Sequence, residues 1–539
     1  MAYPVYLTIG NIPKSIRRKP SRHPQILIAY IPTTSFDRVT NKSARRRAQA
    51  NLFHGCMKTL LEPIRSCGET GVDMRSADHI WRRCHPIFAV FVGDYPEQAL
   101  VTCTYNGRCP KCEVPRDQLG DFQEYPSRIP SDAIDVYRLA DGDGHAFHRA
   151  CREAVLKPVY HPFWQSLPLA NVFMSITPDI LHQMLQGVMK HVIAWLTSPT
   201  AFGSVEIDAR CRSLPPNHNI TLFSKGITKF SRVSGQEHKN QCRLLLGLIV
   251  DLPLPNGLVS SRAVKAVRAI LDFLYLAQYP SHTTETLQRL DNSLQRFHEN
   301  KDIFIDLGTR EDFNIPKLHS LLHYMSSIML FGTTDNYNTE QTERLHIDFT
   351  KLAYRASNHK DEYMQMTSWL ERREKMQRHA AFIKRQQQAL PLETQISIPI
   401  GSPLPWYLRI AKRSNASVSF DDLAVKYGAI SFEDALADFI TKVNYPRDST
   451  RRTRLRAGDE AIPFRSVPVF HKIRFVASPD SEDTDTVDAV HMKPEELDTR
   501  GRITPSRFDT VLVHGQDQTN RNKGEFVDTA TLQTSLMDS

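Results

Sequence analysis

Apolar positions near the start of the chain are spaced as in strands and in one helix. Residues 4–12 combine apolar and small polar positions, residues 25–31 form an apolar run between two prolines, and residues 86–93 form a continuous apolar run of buried-strand length. Apolar residues also recur on one face over residues 43–61, which predicts a helix that ends at Pro63. The order strand, strand, helix, strand predicts an α/β region.

The pattern changes after residue 104, where helical spacing dominates. Residues 389–460 begin with clustered prolines and then show two helix N-termini, at Ser419 and Ser431, each followed by acids in its first turn. Residues 461–539 contain short β-like runs separated by acidic, polar stretches. The segments with helical periodicity are residues 178–197, 241–250, 260–278, 284–300, 317–330, 339–356 and 361–388.

Composition narrows the function classes. The chain of 539 residues is 41% apolar and 24% charged and has a net charge of +9, which is typical of a globular protein and favours a polyanionic partner. Its apolar runs are shorter than the roughly 18 residues of a membrane span, so no membrane association is expected. The nine cysteines are odd in number and mostly scattered, as in a reducing compartment.

Two short motifs follow the apolar run at residues 86–93. Asp94 stands at the end of the run, where a fold can hold a metal-binding carboxylate, although an acid just before Pro96 also fits a helix N-cap. Cys109 and Cys112 form a Cys-x-x-Cys pair, which is a zinc-like spacing. Together they predict a metal-dependent phosphoryl-transfer core with a zinc-bound insertion.

A second pair with metal-ligand spacing is formed by His319 and His323. The two histidines lie four positions apart in a segment predicted to be helical. Because no acid motif neighbours them, a structural role is the favoured interpretation.

Several longer segments carry a family resemblance. They are YPVYLTIGNIPKSIRRKPS (residues 3–21), VGDYPEQALVTC with RCPKC (within 92–112), KPVYHPFWQSLPLANVFMSITPDILHQMLQGVMKH (157–191) and NTEQTERLHIDFTKLAYRASNHKDEYMQMTSWLERREK (338–375). Lesser matches lie at residues 234–239 and 462–475. Over residues 3–475, in this order, the chain resembles the transposase of Plavaka-type elements, in the CACTA group of DDE transposases of basidiomycete, mushroom-forming fungi.

The resemblance implies an α/β fold with a large all-α insertion. The core would be RNase H-like and lack its first strand, and a small β-containing region would follow it. The implied domains are residues 1–104 (N-terminal part of the core), 105–335 (helical insertion domain with a zinc site), 336–388 (C-terminal helices of the core), 389–460 (linker and small helical unit) and 461–539 (small β-rich or partly disordered region).

DDE transposases cleave and rejoin DNA with two divalent metal ions, Mg²⁺ or Mn²⁺, held by three carboxylates. The resemblance implies that Asp94 is the second of these acids and Glu343 the third. Glu340, one turn earlier on the same helical face, is the alternative to Glu343. Taken without the resemblance, both glutamates fit the exposed face of a charged helix.

The resemblance also implies a ligand set for zinc. The family carries the Cys-x-x-Cys pair and a later Leu-His or Met-His, which corresponds here to Cys109, Cys112 and His182. The fourth ligand is left open between His148 and Cys151.

The first catalytic Asp of the family lies upstream of the segment that begins at Tyr3, and the C-terminal strands also depart from the family pattern. We therefore expect a chain that is truncated at both ends and does not cleave DNA. The predicted function is that of a transposase-derived protein of a DNA transposon, located in the nucleus, with transposon-end DNA as its partner and self-association left open. The alternatives are a non-catalytic, zinc-stabilised DNA- or protein-binding relic and a zinc-stabilised interaction module unrelated to DNA.

Overall fold

The computed structural model divides into two compact units. The first contains Met1–Ser213 and Phe223–Leu392, and the second contains Leu214–Leu222 and Glu393–Ser539. The residues that the structure describes are 2–76, 78–215, 220–221, 223–230, 233–388, 407–410, 414, 416–445, 456–458, 462–476, 486–497, 501, 503–504, 506–508, 511–513 and 525–527.

The first unit contains two short antiparallel strand pairs. Ala2–Leu7 pairs with Ile26–Pro32. The pairing confirms the second predicted strand, whereas the first ends at Leu7 and does not extend to residue 12 as predicted. Val72–Arg75 pairs with Trp81–Cys84 in a separate hairpin. In the described residues of this unit the strands therefore form two-stranded sheets, not one larger sheet.

The third predicted strand, at residues 86–93, is wrong. These residues are extended, but only Phe91 makes a bridge, with Ile176, and Phe91 N donates to Ser175 O at 2.9 Å. The physical reason is that the run lacks paired strands on both sides and that part of it faces solvent, since Ile87 is 50% exposed. The side chains of Phe88 and Phe91 pack instead on the core of the first unit.

The helix Lys42–Thr70 provides much of that core. Its N-cap is Asn41, whose side chain accepts from the backbone N–H groups of Ser43 and Ala44. The helix does not end at Pro63 as predicted but continues for about two more turns. Near its end, Gly68 approaches Pro168 so closely that a Cβ would lie 2.6 Å from the proline ring, which favours glycine there.

Helices form most of the remainder of the first unit. The pair Ser260–Ala277 and Thr284–Asn300 confirms two predicted helices. The predicted helix at residues 178–197 begins as a π-helix, Ile180–Met189, and becomes α-helical over Lys190–Leu196. The other helices of seven or more residues are Tyr95–Val101, Pro130–Arg138, Gly144–Glu153, Ser204–Ser213, Gly235–Ile249, Tyr324–Phe331, Thr339–His346 and Glu362–Gln388.

The helix Thr339–His346 packs against the first strand pair. It continues through a π-helical turn, Ile347–Lys351, and a last turn, Leu352–Arg355. The ring of His346 stacks on Tyr6 with centroids 5.8 Å apart, and the Tyr30 hydroxyl donates to Phe349 O. Residues from both ends of the first unit therefore meet here.

The second unit has its own small core. Its four-stranded antiparallel sheet contains, in spatial order, Arg507–Phe508, Thr486–Lys493, Lys472–Val476 and Tyr407–Ile410. The helices Phe420–Tyr427 and Phe432–Asn444 begin where the sequence predicted, and Ser419 caps the first by accepting from Asp422 N.

The predicted domains map simply onto these units. The first three predicted regions fall in the first unit except for residues 214–222, and nearly all of the last two fall in the second. The prolines of the predicted linker at residues 389–406 and the final residues, 528–539, lie outside the described residues. Within the described part of the chain, no helix is long and apolar enough to cross a membrane.

Candidate functional site

Asp94 begins the helix Tyr95–Val101. Its Oδ1 accepts from Glu97 N at 3.0 Å, so the N-cap interpretation of this acid is correct. One carboxylate oxygen takes that bond, and the side chain is partly exposed. A capping role therefore still allows Asp94 to act on neighbouring groups.

His182 connects two acids from distant parts of the chain. Its Nδ1 lies 2.8 Å from Asp179 Oδ2, and its Nε2 lies 2.9 Å from Glu343 Oε1. Asp179 caps the π-helix Ile180–Met189, and Glu343 lies on the helix Thr339–His346. We call Asp94, Asp179, His182 and Glu343 the acid cluster.

Buried Asp179 connects the two helices that carry His182 and Glu343. Its Oδ2 accepts from His182 N at 2.7 Å, while its Oδ1 accepts from Thr339 N at 3.2 Å and from the Thr339 hydroxyl at 2.9 Å. One carboxylate thus satisfies amide groups at the N-termini of both helices, where the helix dipole also favours negative charge.

The charge of Asp94 also acts on His182. Burial lowers the pKa of His182, but the hydrogen bond and charge of Asp179, followed by the charges of Glu343 and Asp94, outweigh burial and raise it. Burial also raises the pKa of Glu97, whose Oε1 accepts from the Tyr3 hydroxyl at 2.6 Å. The first strand is thereby joined to the helix that Asp94 caps.

The structure separates the two candidate glutamates. Glu340 Oε1 lies 2.7 Å from Lys239 Nζ on the helix Gly235–Ile249, whereas Glu343 reaches His182. Glu343, and not Glu340, therefore belongs to the acid cluster.

The acid cluster does not have the form of a two-metal site. Divalent magnesium prefers several oxygen ligands, but here the imidazole of His182 bonds the carboxylate of Glu343 directly. Among the residues that the structure describes, the one group of three or more ligand side chains that converges closely lies elsewhere. The cluster contains three carboxylates, but they are bonded to His182, to Thr339 and to the backbone N–H of Glu97, and this does not fit the arrangement of a two-metal site.

The converging group contains Cys109, Cys112, His319 and His323, which we call the Cys/His cluster. One ligand atom from each lies within 4.8 Å of all the others. Cys109 Sγ is 3.2 Å from His323 Nε2, and Cys112 Sγ is 3.1 Å from His319 Nε2. Two thiols and two imidazoles in a buried pocket are the donor set of a tetrahedral structural zinc site.

The cluster favours a thiolate at Cys109. Burial opposes ionisation, but the hydrogen bond with Cys112, the charge of His323 and the hydrogen bonds of both histidines lower the pKa of Cys109 well below its usual value. The hydrogen bond to Cys109 and burial raise the pKa of Cys112. A cation bound here would favour the thiolate form of both sulfurs.

Backbone and charged groups surround the two thiols. Lys111 N lies 3.3 Å from Cys109 Sγ, and Arg128 Nε donates to Cys109 O at 3.1 Å. Burial lowers the pKa of Lys111 to about 8, although the neighbouring thiols act in the opposite direction, and its ammonium donates to Ile176 O at 2.7 Å. These contacts fix the Cys-x-x-Cys loop in place.

The ligand set predicted from the sequence needs correction. His182 belongs to the acid cluster, and the thiols meet His319 and His323 instead. Of the two options for the fourth ligand, Cys151 is buried in the hydrophobic core, and neither it nor His148 joins the thiols. The fold brings Pro316–His319 and Ser320–His323 to the loop at residues 109–112, a contact that local sequence could not reveal.

The sequence nevertheless contained the signal for this pairing. A Cys-x-x-Cys pair and a His-x-x-x-His pair are the two halves of a Cys₂His₂ site. The lack of a neighbouring acid motif does not argue against metal binding by His319 and His323, because only a catalytic metal site needs such an acid.

Comparison with known proteins bears on the first part of the chain. Residues 1–196 match the family model described as Plavaka transposase. The match supports a transposase-derived chain of the Plavaka type. No curated protein matches this chain.

Each of the two clusters has some residues inside the Plavaka match and some beyond it. It covers Asp94, Asp179 and His182 of the acid cluster and the two cysteines of the Cys/His cluster. Glu343 and the two cluster histidines lie beyond the matched residues, and the fold alone brings them to the matched part. A transposase family implies DNA binding and the use of divalent metal ions.

Proposed function

We propose that this chain is a transposase-derived protein of a DNA transposon that binds DNA without cleaving it. The observation that carries the proposal is that Glu343, beyond the Plavaka-like segment, bonds His182 within it, while the charge of Asp94 in the same segment also raises the pKa of that histidine. These are the two acids that the DDE resemblance implies, and they come from separate ends of the first unit. In the parent CACTA group the same acids would serve two-metal strand transfer.

The absence of cleavage is supported by how these acids are used. Glu343 is paired with His182, Asp94 caps a helix, and Asp179 bonds the N-termini of two helices. Among the described residues, these three carboxylates do not form a group that could hold a metal ion. Two-metal cleavage needs carboxylates on both ions. We propose that the arrangement maintains the structure of a former active site.

A reduced RNase H-like core is part of the same proposal. It is supported by the strand pair Ala2–Leu7 and Ile26–Pro32 and by the helix from Thr339 packed on it. We further propose a nuclear location, because the DNA partner lies there, and leave self-association as a prediction.

DNA binding is supported by the net charge of +9 and by exposed basic residues. Lys42 and Arg46 are exposed in the first turns of the helix Lys42–Thr70. The neighbouring Arg47 donates a hydrogen bond from its guanidinium to Ser43 Oγ at 3.1 Å. Such a group can contact phosphates without reading base sequence.

A second candidate function is the non-catalytic, zinc-stabilised relic that binds DNA or protein. The observation that favours it is the completeness of the Cys/His cluster, since four protein ligands leave no open coordination position. We propose Zn²⁺ as its metal. Bound zinc would hold the Cys-x-x-Cys loop to the turn that carries His319 and His323.

The test of the proposed function is the salt dependence of binding to a short duplex of arbitrary sequence. We expect the affinity of the full chain to fall steeply with salt, and the Lys42→Ala, Arg46→Ala variant to weaken binding and reduce the logarithmic salt slope by about 2. The control is Arg262→Ala, Arg268→Ala, which removes two arginines that are paired with Asp306 and Asp272. Binding that is absent or insensitive to salt would contradict DNA as the partner and favour a zinc-stabilised module unrelated to DNA.

A further inference from the structure

Two fully buried glutamines lie between the acid cluster and the Cys/His cluster. Gln98 is 1% exposed and Gln183 is 2% exposed. The Nε2 of Gln98 donates to the carbonyl oxygens of Gly93 and Thr177, at 2.9 Å each, and Gln183 Nε2 donates to Gln98 Oε1 at 3.1 Å. Burying an amide costs free energy unless its groups are bonded, and these amides are bonded on both sides.

The oxygen of Gln183 connects to both clusters. It accepts from Asp179 N at 3.1 Å, and it lies 3.1 Å from the hydroxyl of Ser320. The Ser320 hydroxyl also lies 2.7 Å from Lys317 O, so its single proton is shared between two acceptors. Ser320 is the residue directly after the cluster ligand His319.

The hydrogen-bond network of Gln98, Gln183 and Ser320 ends at residues next to the acid cluster and next to the Cys/His cluster. Gly93 precedes Asp94, and Gln183 follows His182, so both ends of the amide pair touch backbone next to the acid cluster. At the other end, the turn Ser320–His323 carries a ligand of the Cys/His cluster.

A small cavity lies between the glutamine network and the Cys/His cluster. Its volume is about 10 Å³, roughly the space of one water molecule. Residues from the network and from the Cys/His cluster line it together, among them Gln98, Gln183, Ser320, Cys109 and His323.

The two helical elements are also in close contact beside the network. A Cβ on Gly187 of the π-helix would lie 2.6 Å from Lys317 Cδ. Because closely packed interiors transmit displacement, a movement of the segment that carries His319 would also displace the π-helix that carries His182.

We infer that Gln183 is a positioning residue through which metal binding at the Cys/His cluster orders the acid cluster. Metal fixes the turn at residues 319–323, and Ser320, Gln183 and Gln98 extend that order to the backbone at Gly93 and Asp179. This inference rests on the proposed metal centre. It makes the geometry of Asp94 and His182 dependent on a metal ion that touches neither of them.

The test is hydrogen exchange of the full chain, measured by mass spectrometry on the Zn²⁺-loaded protein and after chelation. In the unaltered chain, metal removal should speed exchange in residues 319–323 and also, at least about fivefold, in the helix Tyr95–Val101. In Gln183→Met the first effect should persist, while the second falls to less than about twofold. Ser320→Ala, a smaller change at a partly buried site, should reduce the second effect in the same direction.

The control is Gln241→Met. Gln241 is an equally buried glutamine, 2% exposed, whose Nε2 bonds Ile227 O outside the network, so it should keep the full response of Tyr95–Val101. A response that survives in Gln183→Met and in Ser320→Ala would overturn the inference alone. So would a helix Tyr95–Val101 that is insensitive to removal of stoichiometrically bound metal. A chain that binds no metal would overturn the proposed metal centre and this inference together.

Discussion

His182 Nε2 lies 2.9 Å from Glu343 Oε1, which joins the Plavaka-like segment to a helix far beyond it. His182 is 21% exposed and Glu343 51% exposed, so this pair stands at the edge of the core and not deep inside it. Its value is therefore more in positioning than in stability, since exposed ion pairs contribute little.

The first prediction concerns the charge on His182. Because Glu343 is one of the groups that raise the pKa of His182, Glu343→Gln should lower that pKa toward its usual value. Nuclear magnetic resonance titration of labelled histidine in the full chain measures it. Glu340→Gln is the matched control, since Glu340 pairs with Lys239 and should leave the titration of His182 unchanged. Equal shifts in the two variants would show that the 2.9 Å contact is not formed.

The second prediction concerns stability in acid. Burial lowers the pKa of His54 to about 4, below the roughly 6.5 of an unfolded histidine. As the pH falls, the unfolded chain therefore binds a proton at this histidine before the folded chain does. The free energy of unfolding is unaffected by His54 above pH 6.5 and decreases as the pH falls from 6.5 toward 4. From pH 7 to pH 5 this one group should lower the free energy of unfolding by about 2 kcal/mol.

Denaturant unfolding of the full chain at both pH values measures that loss. A His54→Met variant, which fills the site without a titrating group, should be less stable at pH 7 but lose less stability on acidification. An unchanged pH dependence in this variant would show that other groups cause the acid sensitivity.

The third prediction concerns metal content. The purified chain should bind about one Zn²⁺, and Cys109→Ser or His323→Ala should abolish stoichiometric binding, because each removes one of four ligands. His182→Ala should keep the metal, which distinguishes the observed cluster from the set predicted by sequence. Cys67→Ser, at a thiol outside the cluster, is the control for cysteine loss. Elemental analysis after gel filtration provides the measurement, and metal loss in His182→Ala would contradict the cluster.

Sequence patterns predicted the helices well because their periodicity is local. The pair at Ser260–Ala277 and Thr284–Asn300 and the cap at Ser419 follow directly from residue spacing. The run at residues 86–93 misled because length and apolarity do not reveal whether a neighbouring strand exists.

The sites were harder to predict because they depend on contacts between distant residues. Glu343 is indicated only by the resemblance, whereas the end of the apolar run also indicates Asp94. In the structure Glu343 bonds His182, and the charge of Asp94 raises the pKa of the same histidine. The resemblance predicts that His182 lies with the thiols, but in the structure it bonds carboxylates. A histidine on a helix can bond either kind of group. Only tertiary packing decides between them, here through Asp179 and Thr339.

We propose that this transposase-derived chain binds DNA but does not cleave it. The most direct test of this proposal is incubation of the purified full chain with supercoiled plasmid and Mg²⁺ or Mn²⁺, under salt conditions where a gel shift shows binding. The account predicts that the plasmid stays supercoiled and that Asp94→Ala behaves as the unaltered chain does. Nicking above background that disappears in Asp94→Ala would contradict the account and show an active site at Asp94.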